Sequence, residues 1–183
     1  MQRKNLVRKK YYLLRKKKYY EINKSFFYPF LNLIKSKFKK KILKLALYYP
    51  SSFEINVLKL LELNYISNQN FLLPVIEENN LMNFFPWKKN EVLKVNRYGM
   101  LEPIKSKQNI PNIILIPLLA FDKDKYRLGY GKGFYDRYLN KYLKRFKNIL
   151  TVGVAFSFQK HHKLPINNMD VKLNYILTEK GIY

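Results

Sequence analysis

The pattern of apolar and polar positions divides the chain into continuous apolar runs and segments with helical spacing. The longest apolar run, Ile113 to Phe121, suits a strand buried on both faces. The pattern predicts helices over 2–22, 29–38, 53–63 and from 134 onward, and strands over 41–50, 71–76, 81–87, 113–121, 149–158 and 173–179. Strands that alternate with helices, without a long run of hairpins, predict an α/β fold in which helices cover a mainly parallel sheet. We expect residues 1–183 to form a single domain.

The segment from Asn112 to Tyr138 joins the longest apolar run to the helix that follows it. Between them the sequence turns polar at 122–125 and then places glycine at 129, 131 and 133, although the whole chain has only 6 glycines. Glycine is needed where φ is positive or where the backbone approaches a ligand closely. Strand, glycine loop and helix in this order are typical of anion sites, because loop amides and the helix N-terminus both point at the ligand. The alternative is an ordinary tight turn, but one turn seldom needs three alternating glycines.

The composition indicates a folded protein and excludes several kinds of chemistry. Hydrophobic residues make up 48% of the chain and aromatic residues 16%, which argues against a disordered tail. The absence of cysteine excludes disulfides, thiolate metal sites and cysteine nucleophiles. The basic N-terminal stretch has neither the apolar core nor the cleavage site of a secretory signal, and no apolar run is long enough to cross a bilayer. We therefore expect a soluble, cytoplasmic monomer without a membrane partner.

The charge balance is strongly basic, with 36 Lys and Arg against 12 Asp and Glu and a formal net charge of +24. Such a charge raises the question of binding to nucleic acid or to an anionic surface. The basic residues are spread along the chain, however, and lysine, asparagine, isoleucine and tyrosine are abundant while alanine is rare. This composition is typical of an A+T-rich coding sequence, so it favours compositional drift and no specific nucleic-acid partner. A nucleic-acid-binding protein stays open as an alternative, and its affinity would fall steeply with salt.

The glycine loop does not match the common nucleotide-binding motifs. It lacks the GxxxxGK[ST] pattern of a P-loop and the GxGxxG pattern at the head of an early βαβ unit. No HExxH occurs, and the adjacent His161 and His162 are poorly spaced to bind one metal from one helix face. These exclusions leave a basic loop that is rich in backbone amides.

Charged and aromatic residues surround the three glycines. Arg127, Lys132 and Arg137 bring positive charge to a loop whose amides are free to contact phosphate oxygens. Asp136, at the start of the helix, either complements the helix dipole or helps to hold a magnesium ion that bridges phosphates. Aromatic faces that can stack on a heterocycle come from Tyr130, Phe134 and Tyr135. Phosphate together with a ring is the profile of a nucleotide or of another large conjugated ligand.

Further candidates lie outside the loop. Lys4 and Arg8 are four residues apart, so they share a helix face and can bind one anion together. Spacing alone nevertheless favours a solvated basic face. Glu54 either complements the dipole of a helix capped by Ser51-Ser52 or reaches into a site at the carboxyl ends of the strands. Tyr49 lies at the same rim.

At the glycine loop the sequence resembles a known family. The segment AFDKDKYRLGYGKGFYDRYL is similar to the hallmark of the 5-formyltetrahydrofolate cyclo-ligases, in which FD…RLGxGxGYYDR is characteristic. The resemblance continues in the family's order over nearly the whole chain: KxxxR at Lys4 and Arg8, YP…E at Tyr49, Pro50 and Glu54, LPV at 73–75, GxxEP at Gly99, Glu102 and Pro103, and VGVAFSFQ…LP…D ending at Asp170. Two positions differ: Phe134 replaces the first tyrosine of GYYD, and Asn174 replaces a common aspartate near the C-terminus.

The resemblance implies a three-layer α/β/α, Rossmann-like fold and a reaction on a small-molecule substrate. That reaction is the ATP- and Mg²⁺-dependent conversion of 5-formyltetrahydrofolate to 5,10-methenyltetrahydrofolate, with release of ADP and phosphate. The alternative is a nucleotide-binding protein on the same scaffold that has lost the folate chemistry.

The resemblance also implies which residues form the site. ATP would be bound by Lys4, Arg8, Arg127, Leu128, Gly129, Tyr130, Gly131, Lys132, Gly133, Phe134 and Tyr135. The folate would be bound by Tyr49, Glu54 and Tyr135, and Mg²⁺ by Asp136 and Asp170. Lys132, the only lysine inside the loop, and Arg127 would be the catalytic residues.

Overall fold

A seven-stranded sheet organises the computed structural model, which describes residues 2–39 and 42–183. In chain order the strands are β1 (Lys44–Ala46), β2 (Asn70–Ile76), β3 (Met82–Pro86), β4 (Leu93–Val95), β5 (Leu101–Pro103), β6 (Ile113–Pro117), β7 (Ala120–Phe121), β8 (Arg127–Leu128), β9 (Leu150–Val154), β10 (Tyr175–Thr178) and β11 (Gly181–Ile182). The order across the large sheet is β11-β10-β9-β6-β1-β2-β3, and neighbours are parallel except at the edge pairs β2–β3 and β10–β11. The prediction of a mainly parallel sheet is confirmed.

Helices cover both faces of this sheet. The α-helices are α1 (Gln2–Lys18), α2 (Tyr28–Phe38) and α3 (Phe134–Tyr142). Ile113 and Leu115 of β6 share one apolar cluster with Phe30 of α2, whereas Ile114, on the opposite side of the same strand, belongs to a cluster with Leu139 of α3. Because successive side chains of a strand point to opposite faces, a run that is apolar throughout binds helices on both sides. This is the predicted three-layer α/β/α arrangement.

Helix α1 packs beside the small β7–β8 hairpin, where Tyr11 shares a separate cluster with Leu119 and Leu128. The helix ends at Lys18, earlier than the predicted residue 22, and the chain then carries Tyr19 and Ile22 into the apolar cluster beneath α2. Its position brings the basic face of α1 towards the glycine loop that follows β8.

The predicted helix over 53–63 is wrong. Only a 3₁₀ helix forms there, Val57–Glu62, and its cap is the side chain of Asn56, which accepts a hydrogen bond from the Leu58 amide, not the Ser51-Ser52 pair. The buried residues Val57, Leu60 and Leu63 recur every three positions, which is the repeat of a 3₁₀ helix.

The predicted strands exist but are mostly shorter than the apolar runs. The strand over 41–50 is reduced to β1, and Lys41 lies outside the described residues. The run 113–121 breaks after β6, and the strand within the run 149–158 ends with β9 at Val154. The last run forms β10, which pairs with β11 beyond it in a hairpin. The β4–β5 hairpin occupies a stretch in which no strand was predicted. No helix in the described part of the chain is long and apolar enough to cross a membrane.

Candidate functional site

The glycine loop connects β8 to α3 at the end of the sheet where β6 and β9 terminate. Gly131 and Gly133 have φ values of 101° and 70°, a conformation that other residues rarely adopt, so the need for glycine is confirmed at these two positions. Gly133 is the residue before the first turn of α3, and no side chain of the described residues caps that helix end. The first amides of α3 are therefore available to an anion.

Helix α1 is docked on this loop through Arg8. The Nε of Arg8 donates a hydrogen bond of 3.0 Å to the carbonyl oxygen of Gly129. The guanidinium also lies so close to Gly131 that a Cβ atom there would stand 3.2 Å from its Cζ atom. A basic side chain that the family resemblance assigned to the site, and that spacing alone would leave on a solvated face, thus lies directly against the glycine backbone.

Lys4 and Asp170, which are far apart in the sequence, form an ion pair at the same site. The Nζ of Lys4 lies 2.5 Å from Oδ2 of Asp170, and each side chain is 16% exposed. The same carboxylate oxygen accepts a hydrogen bond from the Asn167 amide. The prediction placed both residues at the site, and the structure brings them into contact.

Arg127 and Asp136 form a second ion pair beneath the loop. The Nη2 of Arg127 lies 2.8 Å from Oδ1 of Asp136, and its Nη1 donates to the carbonyl oxygen of Val171. The amide of Val171 donates in turn to Oδ1 of Asp136. Because Arg127 is buried and already paired, its geometry suits it to orient Asp136.

The two aspartates are suited to a magnesium ion. Val171, whose amide holds Asp136, directly follows Asp170, so the two carboxylates flank the same short segment. Each uses one oxygen for its hydrogen bonds to described residues, which leaves the second oxygen of each available. No group of three or more metal-ligating side chains occurs among the described residues. Two carboxylates supplemented by phosphate oxygens match the ligand preference of Mg²⁺.

Glu54 lies in a buried polar cluster on the other side of the loop. Its Oε1 accepts a hydrogen bond of 2.8 Å from the hydroxyl of Tyr130, and its Oε2 accepts one of 2.9 Å from the Ser51 amide. Burial raises the pKa of the Glu54 carboxyl above its usual value, against the opposing effect of these hydrogen bonds. Glu54 lies before the 3₁₀ helix, and its carboxylate accepts a hydrogen bond from the nearby Ser51 amide, so helix capping does not explain its position.

Tyr135 also faces Glu54. Burial and the negative charge of Glu54 both raise the pKa of its hydroxyl, while Arg127 lowers it. The hydroxyl is buried, and no described residue hydrogen-bonds to it. A buried, unpaired hydroxyl beside a carboxylate is a donor and acceptor that a ligand can satisfy.

Lys132 lies at the exposed mouth of the site. Its ammonium lies 5.6 Å from the centre of the Tyr98 ring, and Phe134 meets the same ring edge-on at 5.6 Å. Tyr98 is the tip of the β4–β5 hairpin, and its hydroxyl donates to Asn80. Sequence reasoning missed Tyr98, although the neighbouring Gly99 is a residue type that favours a turn. Arg137 donates to the carbonyl oxygens of Asn80 and Lys132, which fixes the loop.

Tyr49 is the candidate that the structure does not bring into this cluster. It lines a groove of about 370 Å³ together with Trp87 and Leu93, and Lys59 and Lys89 stand at the same groove. The hydrogen bonds of the described residues around Glu54 do not include it.

Three comparisons with known proteins agree with one another. Residues 3–179 match the model of the 5-formyltetrahydrofolate cyclo-ligase family. The chain is 35% identical over 154 residues to the 5-formyltetrahydrofolate cyclo-ligase of Haemophilus influenzae, and the match covers 80% of each protein.

Two solved structures are similar to the whole fold. The 5,10-methenyltetrahydrofolate synthetase of Aquifex aeolicus superposes with a TM-score of 0.75 at 33% identity, which covers 98% of this chain and 91% of the other. The synthetase of the same kind from Mycoplasma pneumoniae superposes with a TM-score of 0.70 at 26% identity, which covers 95% and 97%.

Proposed function

Because the chain belongs to the 5-formyltetrahydrofolate cyclo-ligase family, whose members are ligases, we propose that it catalyses the ATP-dependent closure of 5-formyltetrahydrofolate to 5,10-methenyltetrahydrofolate. ADP and phosphate are the other products. The observation that carries the proposal is the convergence of Lys4, Arg8 and Asp170 on the glycine loop, since cations, carboxylates and free amides meet at one helix N-terminus. The proposal treats residues 1–183 as one catalytic domain that acts as a cytoplasmic monomer.

ATP binds, in this proposal, with its phosphates on the glycine loop. The amides that follow Gly131 and Gly133 donate hydrogen bonds to phosphate oxygens, and Lys4 and Arg8 neutralise charge from the side of α1. The proposed contacts extend over the loop backbone and its side chains, at Arg127, Leu128, Gly129, Tyr130, Lys132, Phe134 and Tyr135.

Asp136 and Asp170 would hold Mg²⁺ through the oxygens that their hydrogen bonds leave available. A bound Mg²⁺ would supply positive charge to neutralise phosphate oxygens. Arg127 keeps Asp136 in place from below, since its guanidinium bonds both the carboxylate and the Val171 carbonyl oxygen. Lys4 does the same for Asp170 until a phosphate competes for its ammonium.

The folate binds, in this proposal, against Glu54 and Tyr135. A carboxylate accepts hydrogen bonds from the amino and ring N–H groups of a reduced pterin, and Glu54 is buried where such a ring would exclude water. Tyr135 offers its unpaired hydroxyl at the boundary between the two ligands. Tyr49, in its separate groove with Trp87, is suited to contact a more distant part of the folate.

The chemistry needs positioning and charge neutralisation more than a nucleophilic side chain. A formamide oxygen is a poor leaving group, so the γ-phosphoryl group of ATP is transferred to it, which breaks the bond to ADP and activates the formyl carbon. The N10 amine then attacks that carbon and loses its proton to solvent, and phosphate departs with the former formyl oxygen to leave the methenyl bridge. Lys132, exposed at the mouth, supplies the charge that stabilises the transferred phosphoryl group.

The experiment that tests the proposal supplies the purified protein with ATP, Mg²⁺ and 5-formyltetrahydrofolate. We expect the methenyl absorbance to rise in proportion to enzyme, with one ADP released per product. Omission of ATP should abolish the signal. ATP binding without product would instead support a nucleotide-binding protein that lacks the folate chemistry, and salt-sensitive binding to nucleic acid alone would support the charge-based alternative.

A further inference from the structure

Arg15 of α1 is the most deeply buried cation in the described part of the chain, at 2% exposure. Its guanidinium donates to the carbonyl oxygens of Leu118, at 3.1 Å, and Ser52, at 2.8 Å, and to the hydroxyl of Tyr130. Its Nε has no hydrogen-bond partner among the described residues. A buried guanidinium is costly unless its charge is compensated, so a cation held by neutral oxygens requires an explanation.

The compensating charge is Glu54, which Arg15 reaches through one hydroxyl. The Tyr130 hydroxyl accepts a hydrogen bond from Arg15 and donates one of 2.8 Å to Oε1 of Glu54. The ring of Tyr130 also lies 5.5 Å from the Arg15 guanidinium carbon. The three side chains therefore form a continuous path from α1, through the glycine loop, to the carboxylate.

Arg15 also holds the backbone that carries Glu54. Ser52 and Phe53, directly before Glu54, have φ values of 47° and 65°, a left-handed conformation that two successive non-glycine residues rarely adopt. The Ser52 carbonyl oxygen within this strained turn accepts the hydrogen bond from Arg15. Strain of this kind persists only where surrounding contacts enforce it.

We propose that Arg15 is a positioning residue of the cyclo-ligase reaction, which fixes the Ser51–Glu54 turn and keeps the Glu54 carboxylate ionised for the folate. The inference rests on the proposed function, because Glu54 needs its negative charge only if it accepts hydrogen bonds from the pterin. It adds a residue that lies outside the motifs by which the sequence resembles its family.

The groups that face Glu54 explain why its charge needs support. Tyr48 lies beyond the end of β1, Tyr130 lies in the glycine loop and Tyr135 lies on α3; these three are neutral hydroxyls. Burial raises the pKa of Glu54, whereas Arg15 and the hydrogen bonds from Ser51 and Tyr130 lower it. Arg15 supplies the positive charge in this set, so its removal raises the pKa of Glu54 further and protonates the carboxyl at higher pH.

The test compares the pH dependence of kcat/KM for 5-formyltetrahydrofolate in the wild type, Arg15→Met, Arg15→Lys and Tyr130→Phe. We expect Arg15→Met to lower kcat/KM about tenfold near neutral pH and to move its acidic limb up by about one pH unit. Arg15→Lys retains the charge, so its acidic limb should stay near that of the wild type even if its kcat/KM falls. Tyr130→Phe should also move the limb upward, because one hydrogen bond to the carboxylate is lost. Lys16→Met removes a neighbouring exposed charge from the same helix and should leave the profile unchanged.

An unshifted acidic limb in folded Arg15→Met would overturn the inference, since a purely structural arginine lowers the rate without moving a pKa. Circular dichroism establishes that each variant is folded. If Arg15→Met does not fold, Tyr130→Phe decides, and an unshifted limb in that variant overturns the inference in the same way. Failure of the proposed function gives a different result, because the wild type itself would then form no methenyl product.

Discussion

The Nζ atom of Lys4 lies 2.5 Å from the Oδ2 atom of Asp170, although 166 positions separate the two residues along the chain. The pair joins the first turn of α1 to the loop that precedes β10. Arg8, one turn further along α1, bonds the carbonyl oxygen of Gly129. One helix face therefore contacts both the carboxylate side and the glycine side of the site, which brings residues from both ends of the sequence together.

We expect Lys4→Met to raise the KM for ATP about tenfold, because the ammonium that would meet a phosphate oxygen is lost. The ion pair itself stabilises the fold by only about 1 kcal/mol, since both side chains are partly exposed, so the thermal midpoint should change little. Steady-state kinetics at varied ATP measure the effect. Lys9→Met, an exposed position on the same helix, is the matched control. An unchanged KM for ATP in Lys4→Met would contradict the ATP assignment.

We expect Lys132→Ala to lower kcat at least about tenfold without a loss of stability, because Lys132 is exposed and its proposed role is to stabilise the transferred phosphoryl group. Lys144→Ala removes an exposed lysine just beyond α3 and serves as control. Kinetics at saturating substrate concentrations measure kcat, and thermal unfolding measures stability. Wild-type turnover in Lys132→Ala would remove this residue from the catalytic set.

Much of the site could be predicted from the sequence because its central part is local. Apolar runs, dense glycine and helical spacing follow one another between 113 and 142, and each predicts its own element without knowledge of distant contacts. The strand β6, the positive φ angles of Gly131 and Gly133 and the start of α3 at Phe134 all follow from this pattern. The family resemblance then added Lys4 and Asp170, whose contact no local pattern indicates.

What the sequence could not predict depends on long-range packing. Arg15 is one of many basic residues in α1, and only the docking of the helix on Leu118 and Tyr130 distinguishes it from its exposed neighbours. The stretch 53–63 has enough apolar residues for a helix, but their three-residue spacing buries Val57 and Leu60 in a 3₁₀ helix instead.

Gly131→Ala should lower the free energy of unfolding by about 1 kcal/mol and weaken ATP binding. The residue has a φ of 101°, and an added Cβ would stand 3.2 Å from Cζ of Arg8, so the substitution strains the backbone and displaces Arg8, which is proposed to bind phosphate. Gly129→Ala is the matched control for stability, because no atom lies within 4 Å of its Cβ position and its φ is not positive. Urea unfolding of both variants checks this prediction. If the free energy of unfolding fell equally in both, the difference in φ between Gly131 and Gly129 would not explain the effect.

Asp136→Ala should lose both activity and stability. Its carboxylate pairs with Arg127, whose side chain is 3% exposed, so the alanine variant leaves a buried cation without its partner. We expect the free energy of unfolding to fall by about 2 kcal/mol, less than for a fully buried pair because Asp136 is partly exposed. Asp136→Asn retains an oxygen acceptor and should be more stable than Asp136→Ala. It should still require a higher Mg²⁺ concentration than the wild type to reach half of its maximal rate. If both variants were as stable as the wild type, the burial of the Arg127 cation would not depend on its ion pair with Asp136.

The raised pKa of the buried Glu54 carboxyl predicts how the stability of the protein depends on pH. Burial raises its pKa in the folded protein above the ordinary value of 4.5, so the folded state holds the proton more tightly than the unfolded state. The contribution of Glu54 to stability is therefore fully present below the unfolded pKa and is lost as the pH rises through the folded pKa. Glu54→Gln does not titrate, so the stability of the wild type relative to this variant should be greater at about pH 4 than at about pH 7. Urea unfolding of both proteins at the two pH values measures the difference, and all other titrating groups cancel in the comparison. A relative stability that stays constant or rises with pH would mean that the hydrogen bonds from Ser51 and Tyr130, together with the charge of Arg15, outweigh the burial of the carboxylate.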